Sequence, residues 1–272
     1  MRGLVSRFDW YAATFDDFEE DRIPNAFVLA LGGTITRGRG KMGYAHCHTI
    51  ERDEKVLARV FTGAARPGEV HVVVSGEACD RVVPFIRRMW PEHRVSRVDV
   101  ATDFRARFEE LDAEALAFAN ERGLSYRLVT DSEGGATRYL GAPSSEFMVR
   151  IYKKTEQMRK VDPVGAAQVP EGLVRVEKQV RPSTRMKGAV ARMSADEVWG
   201  IGKWPAEFAR RFLDLEVETV ATQFRRPTDW SRALHWLGAQ YGPAVARRAQ
   251  QVGRAQARAE VLAALGLADG SA

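Results

Sequence analysis

Three segments of the chain alternate polar and apolar residues with a period of two, and this pattern constrains the fold more than any other feature. Side chains of a β-strand point alternately to its two faces, so each segment is predicted to be a strand with one polar side. The polar sides carry Arg97, Asp99 and Asp103 in residues 97–103, Arg150, Tyr152 and Lys154 in residues 150–156, and Arg175, Glu177 and Gln179 in residues 175–179.

If the three segments are neighbours in one sheet, one of its faces collects carboxylates, arginines, a lysine and a tyrosine. Two interpretations follow. An antiparallel sheet with one solvated face shows the same alternation, and its arginines and acids then form ordinary cross-strand pairs. Alternatively, the face is a reactive or binding site. Taken alone, the alternation favours the first interpretation.

The rest of the pattern predicts an α+β fold. Short glycine-separated β-rich runs predict strands, and apolar residues at helical spacing predict helices. We expect strands at 26–31, 42–50, 56–63, 69–76, 94–104, 125–131, 137–141, 147–154 and 172–182, and helices at 77–90 and 111–123. Asp112 is the predicted N-cap of the second helix and Gly123 its stop. Because strands mostly follow strands, the sheet should be curved and largely antiparallel, with helices packed against it.

From about residue 194 the periodicity becomes helical. Ser194 and Glu197 have the spacing of a capping box, and Asp229 and Pro243 are predicted starts of two later helices. We therefore divide the chain into an α+β domain at 1–190, which would carry any site on the polar face, and a basic helical region at 191–272.

The charge balance suits a nucleic-acid partner. The net charge is +5 and the sequence pI is about 9.3. Arg37, Arg39 and Lys41 alternate with glycines in a predicted hairpin turn at 31–42, where they could contact DNA phosphates. The same stretch is not a phosphate-binding P-loop, because that motif needs glycine and Ser or Thr where this chain has Ile35 and Met42.

Other features exclude several classes of protein. The sequence has no apolar run of about 18 residues and no signal peptide at its start, so we expect a cytoplasmic protein without a membrane partner. Cys47 and Cys79 are isolated, which predicts neither a disulfide framework nor a Cys-x-x-Cys metal site.

Residues 95–182 resemble the replication initiation factor family, also called the Rep trans-acting family. Its members include initiators of rolling-circle plasmids and filamentous phages and relaxases of some conjugative elements. The motifs that carry the resemblance occur in the family's order and spacing: Arg97-Val98-Asp99 with Asp103, Tyr139-Leu140-Gly141-Ala142-Pro143-Ser144-Ser145, Arg150-Ile151-Tyr152-Lys153-Lys154-Thr155-Glu156 and Arg175-Val176-Glu177. The chain departs from the pattern at Ala142, where serine is common, and at Lys153, where Asp or Asn is common.

The resemblance implies that Tyr152 attacks a DNA phosphate at a replication origin, giving a 5′-phosphotyrosine link and a free 3′-OH. A free phenol has a pKa near 10 and is a weak nucleophile. Lys154 would lower that pKa, and Arg150 would hold the scissile phosphate. A divalent metal, Mg²⁺ or Mn²⁺, would stabilise the developing charge. Its expected ligands are Asp99 and Glu177, followed by Asp103 and Glu156, and the expected DNA contacts are Arg97, Arg175, Arg37, Arg39 and Lys41.

The resemblance also implies partners: origin DNA that is single-stranded or cruciform at the nick, a host helicase and polymerase, and a second copy of the chain. Three alternatives stay open. A relaxase that starts conjugative transfer would make the same nick, and a regulator that lost catalysis would bind the origin without cutting it. In the third, His46 and His48 share a strand face and bind the metal instead of the carboxylates.

Overall fold

The computed structural model describes residues 4–265 except 18, 20, 21, 168 and 221–228. Its strands are β1 (Arg7–Asp16), β2 (Thr34–Arg39), β3 (Tyr44–Arg52), β4 (Lys55–Ala64), β5 (Glu69–Ser75), β6 (Arg94–Arg105), β7 (Tyr126–Thr130), β8 (Ala136–Leu140), β9 (Phe147–Lys153) and β10 (Leu173–Val180). Its helices are α1 (Ile23–Leu31), α2 (Ala78–Met89), α3 (Phe108–Glu121), α4 (Lys154–Val161), α5 (Pro163–Ala166), α6 (Lys187–Arg192), α7 (Ala195–Trp199), α8 (Lys203–Phe212), α9 (Asp229–Val252) and α10 (Arg254–Ala264).

The strands of the described residues form one open sheet in the order β2-β3-β4-β5-β1-β6-β10-β9-β8-β7, and every neighbouring pair is antiparallel. This confirms the predicted α+β class with a largely antiparallel sheet and packed helices. The strand β1, which the sequence pattern did not predict, lies in the middle of the order and joins the half that contains β2–β5 to the half that contains β6–β10.

The prediction of a strand at 26–31 is wrong, because these residues belong to α1. Ile23, Phe27 and Leu31 recur every fourth residue and are buried together on one side of that helix. Pro24 lies in the first turn of α1. Backbone N–H groups of a first turn have no carbonyl partner within the helix, so proline, which lacks an N–H, removes no hydrogen bond there. A short apolar run fits a strand and a buried helix equally well, and here the spacing of the large residues favours the helix.

The glycine-rich stretch at 31–42 is only partly a turn. Residues Thr34–Arg39 form β2, which pairs with β3 along its whole length, and the turn is confined to residues 40–43. Gly40 lies so close to the backbone of Tyr44 that a Cβ would be 2.1 Å from its carbonyl oxygen. The glycines therefore permit a tight turn at residues 40–43, and residues Thr34–Arg39 before it form an extended edge strand.

Two further helix starts differ from prediction. The N-cap of α3 is Arg107, and Asp112 lies inside the helix, where its carboxylate binds the Arg138 guanidinium at 2.5 and 2.8 Å. Pro243 lies within α9, and the break falls instead at Gly253, whose φ of 87° favours glycine. The capping box of Ser194 is confirmed, with both reciprocal hydrogen bonds present.

Helices α1–α3 and α6–α8 bury their apolar residues against one side of the sheet. We call this side the core face; it carries Tyr11, Val72, Val98, Ile151 and Val176. The opposite side is the polar face, which carries Asp99, Arg150, Tyr152, Arg175 and Glu177. Buried apolar side chains of the polar face, such as Ala12 and Met148, lie outside the core cluster.

By its internal contacts the chain divides into two compact units, residues 1–222 and 223–272. Residues 191–212 were assigned to the C-terminal region from their helical periodicity, but the structure groups them with the sheet. The reason is packing: Val198, Trp199 and Phe208 are fully buried in the same core as the strands. Within the described residues, both cysteines are free, and no helix has the length and apolar character needed to cross a membrane.

Candidate active site on the polar face

The three alternating segments are neighbours in the sheet, as β6, β10 and β9. In the cross-strand register, Arg175 stands between Asp103 and Tyr152, and Glu177 stands opposite Arg150. Directly opposed residues of an antiparallel pair project to the same side. The polar side chains therefore converge on one face, as the alternation predicted.

One end of this face is organised around Arg175. The residue is buried, and its guanidinium donates to both oxygens of Asp103 at 2.6 Å and to Asp9 at 2.8 Å. Asp9 comes from a bulge of β1 between Phe8 and Trp10, a position to which the sequence pattern gave no role.

These contacts bear on two predicted roles, which stay predictions. Arg175 was expected to contact DNA, but it is buried and each of its guanidinium nitrogens is engaged by a carboxylate. Asp103 was expected as a metal ligand, but both of its oxygens accept from Arg175, and one also accepts from Arg7 at 3.2 Å. The geometry makes this group a structural ion cluster that holds β1, β6 and β10 together.

The centre of the face holds two buried acids, Asp99 and Glu177. Arg97 donates to the two oxygens of Asp99 at 2.9 and 2.5 Å. Arg150 reaches both acids through one nitrogen, donating to Asp99 at 3.4 Å and also to Glu177. Burial raises the pKa of Glu177 above its ordinary range, and the charges of Asp99 and Asp9 add to the rise against the opposing effect of Arg150.

Tyr152 lies beside this acid pair and not in the apolar core. Its hydroxyl is 3.5 Å from Glu177 Oε2, the acceptor to which it donates. Burial raises the pKa of the phenol, and Glu177 raises it further, which outweighs the lowering by Arg175 and Arg150. The net pKa of the phenol is therefore raised, whereas the sequence pattern led us to expect that Lys154 lowers it.

Lys154 is the first residue of α4 and lies just past the end of the β9 strand. Its ammonium is 5.9 Å from the centre of the Tyr152 ring and donates to Gln157 at 2.7 Å. Burial lowers the pKa of Lys154, and the charge of Arg175 lowers it further. Lys154 thus lies next to the Tyr152 ring, as the sequence pattern predicted.

The expected metal ligands are only partly brought together. Asp99 and Glu177 share the Arg150 guanidinium, whereas Glu156 lies on α4 and lines a cavity of about 410 Å³ with Glu133, Arg159 and Lys160. Over the part of the chain that the structure describes, no three acidic, histidine or cysteine side chains are placed to hold an ion. The oxygens of Asp99 and Glu177 suit a hard cation in their chemistry, but arginines occupy them.

The histidine alternative is separated from Tyr152 by the sheet. His46 and His48 lie on β3, and their ring centres are 6.4 Å apart. In the register His48 pairs with Val60, a residue of the core face, so both histidines project to the side of the sheet opposite Tyr152. The two histidines and Tyr152 therefore do not form one centre.

Arg37 and Arg39 lie on the exposed edge strand β2, and Lys41 lies in the turn that follows. In the register, Arg37 pairs with His48 and His48 with Val60, a residue of the core face. The two arginines therefore project from the side of the sheet opposite the polar face. Their contact with DNA stays a prediction, separate from the Tyr152 centre.

Comparison with known structures supports the fold. The chain is similar to the rolling circle replication initiator protein from Geobacillus stearothermophilus, with a TM-score of 0.51 and 19% sequence identity; the match covers 87% of this chain and 96% of that one. No family model and no curated protein matches the sequence. At this identity the likeness establishes a shared fold, and the chemistry depends on the residues of the polar face.

Proposed function

We propose that this protein is a rolling-circle replication initiator that nicks one strand of origin DNA with Tyr152. One observation carries the proposal. Tyr152 lies on the polar face beside Arg150, and its hydroxyl is 3.5 Å from Glu177 Oε2. The fold shared with a rolling circle replication initiator supports the same conclusion.

In the proposed step the Tyr152 oxygen bonds to the phosphorus of one phosphodiester. The bond from phosphorus to the 3′ oxygen breaks, and that oxygen takes up a proton from water, which leaves a 5′-phosphotyrosine link and a free 3′-OH. Glu177 Oε2, to which the phenol already donates, receives the phenol proton. Arg150, whose side chain is partly exposed, holds the scissile phosphate.

Lys154 and Arg97 complete the cationic surroundings of the attacked phosphate. Both lie at the margin of the polar face with part of their side chains accessible, unlike Arg175. A positive charge beside the leaving oxygen stabilises the charge that develops there. Their role is therefore electrostatic.

A divalent metal remains part of the proposal. Asp99 and Glu177 would hold Mg²⁺ or Mn²⁺, because carboxylate oxygens suit such hard cations. The ion would supply positive charge to the phosphate oxygens when bound. Arg97 and Arg150 now bind those carboxylates, so they would exchange these contacts for phosphate oxygens of the DNA.

The free 3′-OH would be extended by a host polymerase behind a host helicase, and a second copy of the chain would assist at the origin.

A relaxase would make the same nick. Genes for a coupling ATPase beside this gene would favour conjugative transfer, and coat-protein genes would favour a phage initiator. A regulator without catalysis predicts binding but no covalent intermediate.

The test is capture of that intermediate. The protein is incubated with a pool of single-stranded oligonucleotides of random sequence and Mn²⁺, and mass spectrometry locates any nucleotide adduct. We expect an adduct on Tyr152 that disappears in Tyr152→Phe and persists in Tyr126→Phe, which removes an exposed phenol on the other side of the sheet. An adduct of equal yield in Tyr152→Phe, or none in the unaltered protein, would refute the proposal.

A further inference from the structure

Unsatisfied hydrogen-bond donors are concentrated on the polar face. In the described residues, the buried side-chain atoms without a partner are Trp10 Nε1, Arg150 Nε and Gln179 Nε2. The register places Trp10 and Gln179 on either side of Asp99, and Arg150 opposite Glu177. Buried donors in proteins normally have an acceptor. Because all three atoms are donors, a metal ion does not satisfy them, and the missing partner must supply acceptor oxygens or nitrogens.

Two aromatic rings flank these donors on the same face. Trp10 on β1 lies under the Arg97 guanidinium, 4.6 Å from its ring centre, and Tyr139 on β8 lies under Arg127 at 4.7 Å. Both rings are half-buried. Four strand spacings separate β1 from β8, or about 19 Å, with the Tyr152 centre between them.

Such a face fits a single strand of nucleic acid. Bases stack on aromatic rings and on guanidinium planes, and this contact tolerates any base because each has a π-face. A duplex keeps its base faces stacked inside and offers the rings none. The arginines at the margin of the face, including Arg97, Arg127 and Arg150, complement phosphate charge.

Helices α1–α3 and α6–α8 bury their apolar residues with the core face. Trp10 and Tyr139 lie on the opposite side of the sheet, and both side chains keep part of their surface exposed.

We propose that the polar face binds single-stranded DNA laid across β1 to β8, with one base on Trp10 and another on Tyr139. The N–H groups of Trp10, Arg150 and Gln179 are buried in the free protein, and they would reach acceptors of the strand once the Arg97 and Arg150 side chains exchange their carboxylate contacts for phosphate. This inference rests on the proposed function, because it brings the attacked phosphate over Tyr152. It adds the two rings as the elements that hold the bases on either side of the nick.

The test measures binding without cleavage. All variants carry Tyr152→Phe and are titrated in EDTA by fluorescence anisotropy against a labelled thymidine oligonucleotide of roughly 12 nucleotides, within the size range of single-strand sites, and against the matching duplex. We expect tighter binding of the single strand than of the duplex. Tyr139→Leu and Trp10→Leu should each weaken single-strand binding by roughly 5- to 160-fold, the change that about 1–3 kcal/mol of stacking produces. Tyr139→Phe keeps the ring and should stay within about twofold.

Tyr126→Leu is the matched control. Tyr126 lies on β7, is 47% exposed and has the Arg138 guanidinium 5.7 Å from its ring centre. It pairs with Leu140 of β8 and therefore faces the side of the sheet away from Tyr139. It should leave binding unchanged. The inference is overturned if Tyr126→Leu weakens binding as much as Tyr139→Leu, if both ring variants bind as the parent does, or if the duplex binds more tightly than the single strand.

Circular dichroism melting checks that each variant is folded. If Trp10→Leu does not fold, Tyr139→Leu still tests stacking, and Trp10→Phe, which keeps a ring but removes the N–H, tests the donor. The outcome is independent of the nicking test. A Tyr152 adduct together with ring variants of unchanged affinity would overturn this inference and leave the proposed function standing, whereas ring-dependent binding without an adduct would do the reverse.

Discussion

The strongest stability prediction concerns Lys178, which lies between Glu177 and Gln179 on β10 but points to the core face. The side chain is fully buried, and burial lowers the pKa of its ammonium. The ammonium donates to three main-chain carbonyls at the C-terminal end of α7, those of Val198, Trp199 and Ile201, at 2.8, 2.9 and 2.6 Å. Three acceptors match the three protons of an ammonium group.

Replacing Lys178 with methionine keeps an unbranched side chain of similar length but leaves the carbonyls of Trp199 and Ile201 without that donor. The carbonyl of Val198 still accepts from the Ile201 N–H at 3.2 Å. Each orphaned buried carbonyl costs about 1–3 kcal/mol, roughly 2–6 kcal/mol for two. Removing the buried charge returns part of this cost as desolvation, so we expect Lys178→Met to lower the free energy of unfolding by about 1–3 kcal/mol.

The assay is urea unfolding followed by circular dichroism, which gives the change in unfolding free energy from the transition midpoint and slope. Lys203→Met, at the exposed first residue of α8, is the control and should change stability by no more than about 0.5 kcal/mol. A Lys178→Met protein as stable as the parent would refute the reasoning, because it would mean that the α7 carbonyls do not depend on the ammonium.

Three further predictions follow from the same structure. Arg175→Met should lower the unfolding free energy by about 3 kcal/mol in urea titration, because it leaves the partly buried Asp103 without its main partner; unchanged stability would contradict the structural role of that ion cluster. Ser194→Ala should lower it by about 1 kcal/mol by removing the α7 cap, and a thermal melt that matches the parent would count against the capping box. The pKa of Glu177 is higher in the folded protein than in the unfolded chain, so between these two pKa values the folded protein keeps a proton that the unfolded chain releases. The contribution of Glu177 to the free energy of unfolding is therefore lost as pH rises from the ordinary carboxyl range through the folded pKa. The loss amounts to about 1.4 kcal/mol for each pH unit that separates the folded from the unfolded pKa. Glu177→Gln should flatten that part of the profile of stability against pH, and an equally steep decline would exclude Glu177 as its source.

Much of the sheet could be predicted because strand periodicity is a local property of the sequence. The alternation around Asp99, Tyr152 and Glu177 fixes which side chains share a face, whatever the strands pair with. The same reasoning failed for Phe27, since an apolar run of six residues fits a strand or a buried helix, and only the packing of α1 on the sheet distinguishes them.

The site was predicted less completely, because the state of a charged side chain depends on its partner. The sequence pattern does not distinguish the charged residues of the polar face: each is a polar position of an alternating strand, as for Asp99, Asp103, Arg175 and Glu177. The structure makes Arg175 and Asp103 a closed ion pair, and it leaves Asp99 and Glu177 sharing partly exposed arginines. No local feature of the sequence distinguishes these outcomes.

What the sequence determined by itself is the polar and apolar side of each strand, since that depends only on the order of neighbouring residues. The tertiary structure alone decided which charges are paired and which rings flank the phenol. Asp9 meets Arg175, and Trp10 meets Arg97, because a bulge in β1 sets their register against β6. Such pairings join residues about 90 to 170 positions apart, and the free energy of a charge or a buried donor is set by those distant neighbours.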